Sequence, residues 1–63
     1  MFNAVEYTIK DNECTGMFLE AEDREDMENQ INIFENDKVY FIATDMNTKI
    51  EYRLNEKNEL AEI

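Results

Sequence analysis

Sixty-three residues suffice for one domain, at a size where a single core is only marginally stabilising. Sixteen acidic residues against six basic ones give a formal net charge of −10, which disfavours direct nucleic-acid binding and attachment to anionic lipid. Hydrophobic residues at 43%, with three tyrosines and four phenylalanines, are too many for a disordered chain, so one folded unit over residues 1–63 is expected.

The first apolar cluster alternates. Val5, Tyr7 and Ile9 point one way and Glu6, Thr8 and Lys10 the other, the pattern of a half-buried strand. Asp11–Gly16 is rich in turn formers and ends on the only glycine. Met17, Leu19 and Ala21 then resume the alternation, with Phe18 and Glu20 on the opposite face. These segments predict a β-hairpin over about residues 3–22.

An acidic stretch follows. Six of the nine residues from Glu20 to Glu28 are carboxylates, with Arg24 among them. Asp23 is placed to cap a helix whose first turn holds Glu25 and Asp26, where carboxylates meet the positive end of the helix dipole. Met27, Ile31 and Phe34 fall at i, i+4 and i+7, one helical face, and Asn36-Asp37 ends the pattern. A rival reading stays open, because Ile31 and Ile33 also alternate and Ile31–Phe34 fits a short strand.

Val39-Tyr40-Phe41-Ile42-Ala43 is apolar on both faces, as a central strand covered on each side would be. One helix can cover only one side, which leaves the other for a partner. Ile50, Tyr52 and Leu54 alternate with Glu51 and Arg53, and Leu60–Ile63 reads as a short edge strand after the turn Asn55–Asn58. The expected architecture is α+β: a small antiparallel sheet of four to five strands in the order β-β-α-β-β(-β), with one helix packed across one face.

Chemistry is hard to place on this chain. It has no histidine, serine, tryptophan or proline, so Ser–His and Cys–His arrangements are impossible. The single Cys14 allows no internal disulfide and suits a reducing compartment. Asp45, Asn47 and Glu56 have the outer spacing of a calcium loop, but Ile50 stands where that loop needs glycine, which favours a hairpin turn. No apolar run approaches a membrane span, and the N-terminus lacks a basic-then-apolar signal. A cytoplasmic, non-enzymatic protein without metal or cofactor is expected.

The acidic surface remains. Its plainest role is solubility; its functional reading is attraction of a basic surface on another protein. Carboxylates three or four positions apart on a helix advance ~4.5–6 Å, against ~3.4 Å for successive phosphates of a DNA strand, so a DNA mimic is permitted. The residues expected to meet such a partner are Glu20, Glu22, Asp23, Glu25, Asp26, Glu28 and Glu35. In size, charge and hairpin-plus-helix plan the chain is similar to the small acidic antagonists that phages make against host enzymes, restriction systems and CRISPR complexes. That resemblance implies an inhibitor that occludes a nucleic-acid-binding surface. The alternative is a structural or assembly module working through sheet pairing or a homodimer, with Tyr40 and Ile42 at the interface.

Overall fold

The computed structural model describes residues 1–63. Strand β1 (Phe2–Thr8) pairs with β2 (Cys14–Ala21), helix α1 (Arg24–Phe34) follows, and β3 (Val39–Asp45), β4 (Glu51–Leu54) and β5 (Leu60–Glu62) complete the chain. The five strands form one antiparallel sheet in the order β2-β1-β3-β4-β5, so the fold is α+β. Because β2 and β3 both run antiparallel to β1, they are parallel to each other, and α1 carries the chain across β1 between them.

The N-terminal hairpin forms over the expected span, with differences first in β2 and then in β1. Cys14 begins β2 instead of lying in the turn. The register also passes from Val5 opposite Phe18 to Tyr7 opposite Cys14, so β2 carries extra residues around Gly16, whose φ of +94° suits only glycine. The second difference concerns burial in β1. Phe2 and Ala4 are buried beneath the helix, whereas Val5, Tyr7 and Ile9 lie on the other side of the sheet. The alternation was legible in the sequence, but which side faces the helix depended on pairing with β2 and β3.

The helix begins where the carboxylates predict. Asp23 is extended, and its side chain accepts the Asp26 amide at 2.8 Å, leaving Glu25 and Asp26 in the first turn. The rival strand at Ile31–Phe34 does not form. Met27 and Ile31 are fully buried, as expected of the i and i+4 positions. Phe34 is 42% exposed, because the last turn reaches the margin of the core. There Glu35 turns extended and its Oε2 accepts the Phe41 amide at 3.0 Å.

The core comprises Phe2, Ala4, Leu19, Ala21, Met27, Ile31, Phe41, Ala43 and Leu60, with Tyr52 and Leu54 packed against it. Its largest fully buried side chains are Phe41, Met27 and Ile31, each contributing about 1.5–3 kcal/mol of burial. Phe2 and Tyr52 meet edge to face at 6.1 Å across this layer. Asp45 Oδ1 accepts the Asn47 amide in the β3–β4 turn, and Lys49 takes a φ of +64° there. The segment that has the outer spacing of a calcium loop is thus a hairpin turn. No helix is long and apolar enough to cross a membrane.

Candidate functional site

Two surfaces stand out: the acidic junction between β2 and α1, and the face of the sheet that carries no helix.

At the junction the fold divides the expected carboxylates into two groups. Glu28 is half-buried and its Oε2 accepts the Leu60 amide at 2.7 Å. Glu35, also half-buried, bonds the Phe41 amide where the short β4 leaves β3 without a neighbour. Asp23 caps the helix. These three carboxylates satisfy backbone donors that would otherwise go unpaired, and each is committed to the fold. Glu20, Glu22, Glu25 and Asp26 are exposed, though Asp26 also accepts a long 3.4 Å bond from Gln30.

Arg24 stands in the midst of this group but does not neutralise it. It turns away instead. Its guanidinium donates to the Leu60 carbonyl at 3.1 Å and lies 4.7 Å from the Tyr52 ring centre. The exposed acids therefore keep their field. Asp23, Glu25, Asp26 and Asn29 line an open depression with no hydrophobic side chain. Beyond the first turn the exposed helix positions are Asn29, Asn32, Ile33 and Phe34, all uncharged. The carboxylates thus gather at the N-terminal end of α1 instead of running along it, so the sequence-based spacing of a phosphate row is realised over one turn only.

Arg24 and Glu28 together also close an edge. In the β4–β5 pairing Ala61 faces Arg53, so the polar groups of Leu60 point outward. Its amide goes to Glu28 and its carbonyl to Arg24. On the far side of the sheet, Gln30 donates to the Glu20 carbonyl of β2 at 2.9 Å. Side chains of one helix thus reach both edge strands. At Leu60 the edge read from the sequence as open for pairing is occupied.

The helix-free face brings Tyr40 and Ile42 together with residues whose grouping the sequence did not reveal. Val5 lies between Phe18 and Ile42 in the ladder, giving an apolar row across three strands. Phe18 at its end is 64% exposed. Next along the strands, Tyr7 stacks on Tyr40 with ring centres 5.7 Å apart. The Arg53 guanidinium lies 4.1 Å from the Tyr40 ring centre, and the Tyr40 hydroxyl donates to Asn12 Oδ1 at 2.8 Å. Tyr40 is thereby held on three sides. In the opposite direction Asn3 and Thr44 stand between Glu20 and Glu51, and Asn3 Oδ1 is buried without a hydrogen-bond partner. The alternation of Phe18 against Leu19 was the one signal in the sequence for this face; uniting it with Val5 and Ile42 needed the register. Compared with protein-family models, with curated proteins and with solved structures, the chain matches none.

Proposed function

We propose that this chain is a non-enzymatic binding protein that inhibits a partner by covering a basic, nucleic-acid-handling surface. The observation that carries this reading is the group of exposed carboxylates Glu22, Glu25 and Asp26 at the start of α1, left unneutralised because Arg24 is drawn to Leu60 and Tyr52. A compact acidic end on a chain of net charge −10 would steer toward a basic patch and repel acidic competitors. The gathering of acids at one helix end favours a basic knob or pocket over a long phosphate groove. Glu28 and Glu35, tied to backbone amides, serve this surface only by holding it in place.

The test is affinity capture with the intact protein in low salt, followed by elution with either salt or heparin, a soluble polyanion. Retention of a basic protein that both agents release supports the reading, since screening shortens the Debye length to ~3 Å at 1 M salt. The combined variant Glu22→Lys, Glu25→Lys and Asp26→Lys, checked for folding by circular dichroism, is expected to lose that retention. Unchanged retention by the folded triple variant would overturn the assignment of the surface.

A further inference from the structure

We propose that the helix-free face of the sheet is covered by a second copy of this chain, stacked face to face with its strands reversed. This rests on different residues from the acidic junction and stands or falls separately.

On this face the row Phe18–Val5–Ile42 lies beside the stacked pair Tyr7–Tyr40. On a chain with 35% charged residues, this face is apolar and aromatic through its middle. Its aromatic part is also pre-set: Asn12, Arg53 and Tyr7 fix the Tyr40 ring, so little side-chain freedom remains to be lost on contact.

Charge then selects the occupant. Glu20 and Glu51, both exposed, mark one end of the face, in the row that contains Asn3 and Thr44. Arg53 lies over Tyr40 toward the other end. The Ile9 amide bonds the Lys38 carbonyl at 2.9 Å, so the ladder extends past Thr8–Val39 and alternation puts Lys38 on the side of Tyr40. Lys10 and Lys38 share an open depression there with Asp11 and Asp37, which makes Arg53 the cation most firmly committed to this end. With Glu51 at one end and the Arg53 guanidinium reaching over Tyr40 toward the other, the β4 side of this face is complementary to its own reverse. A two-fold axis across the strands near Ile42 keeps each strand over its own counterpart, so it sets each copy's Glu51 against the other's Arg53, both on β4, and stacks the apolar rows.

Edge and area fix the mode and strength. Pairing through β5 is obstructed at Leu60 by Arg24 and Glu28, and Gln30 occupies the Glu20 carbonyl on the β2 edge, which favours stacking over edge pairing. The molecule measures 29 × 22 × 18 Å, so two copies bury on the order of 1,000 Å² at most, the lower end for specific association. The dimer is accordingly weak and reversible. Overall repulsion between two chains of charge −10 opposes it in dilute buffer, and salt relieves that repulsion while leaving the apolar contact. Dimerisation therefore strengthens with salt, the reverse of attachment to a basic partner.

The experiment is sedimentation equilibrium of the intact protein at up to near-millimolar concentration, in low salt and in about 0.5 M salt, where the Debye length is only a few ångströms. The expected mass rises from 7.5 kDa toward twice that value, and does so at lower protein concentration in high salt. Phe18→Glu, at a largely exposed position, is expected to raise the dissociation constant by about tenfold or more. Glu51→Lys is also expected to weaken the dimer, although it makes the chain two charges less negative. Adding Arg53→Glu is expected to restore it. A single-chain mass throughout would overturn the proposal, as would a tighter dimer in the Glu51→Lys variant, which generic charge repulsion predicts. Should Phe18→Glu unfold, the exposed charge exchanges decide the matter alone.

Discussion

Two backbone positions with positive φ respond to substitution in opposite ways. Gly16 sits at φ +94° in the β2 irregularity, with open space where a Cβ would be. Replacing it with alanine meets no neighbour, so the whole penalty is conformational, about 1–2 kcal/mol. Lys49 holds φ +64° in the β3–β4 turn without being glycine. Lys49→Gly removes that strain and is expected to stabilise the chain by about 0.5–1 kcal/mol. Urea unfolding of both variants, with unchanged slopes, checks the pair of opposite signs. Carboxylates divide in the same residue-specific way. Glu25 and Glu28 are three positions apart on one helix, yet one faces solvent and the other bonds the Leu60 amide. Composition cannot separate them; their neighbours can.

At the scale of elements, α1 both covers the core and closes the sheet around it. Five strands ~4.8 Å apart span more than the ~10–12 Å width of a helix, so a flat sheet could not put both edges within reach of α1. Gln30 on β2, and Arg24 and Glu28 on β5, show that the sheet curls around it. Glu28→Ala leaves the Leu60 amide unpaired and is expected to cost about 1.5–3 kcal/mol, as for a bond to a charged acceptor, whereas Glu25→Ala is expected to stay within about 0.5 kcal/mol. Amide exchange at Leu60 should quicken in the first variant and not in the second. Equal effects on stability would refute the division of labour among these acids. The sequence made α1, its cap and its buried pair Met27 and Ile31 legible, because capping and helical periodicity are local. It could not show that Glu28 and Glu35 would leave the surface, since their partners Leu60 and Phe41 lie on other strands.

Over the whole molecule, a charge of −10 on 63 residues opposes compaction. Raising salt from low to physiological strength is expected to increase the melting temperature, by about 4–8 °C for each 1 kcal/mol of repulsion relieved. Thermal melts at a protein concentration too low for association isolate this effect. The two proposed contacts respond to salt in opposite directions, so one titration series separates them: a basic partner leaves as salt rises, while the second copy arrives.

The sequence by itself favoured the α+β class over a rival strand at Ile31–Phe34, placed the helix cap at Asp23 and gave Val39–Ala43 its central place. All of these follow from periodicity, turn chemistry and a two-sided apolar run, which short stretches of chain carry on their own. Only the tertiary structure decided which face of β1 meets the helix, which acids remain free, and that Phe18, Val5, Tyr7, Tyr40, Ile42 and Arg53 share one surface. Those outcomes depend on register, and register is a relation between strands distant in the chain.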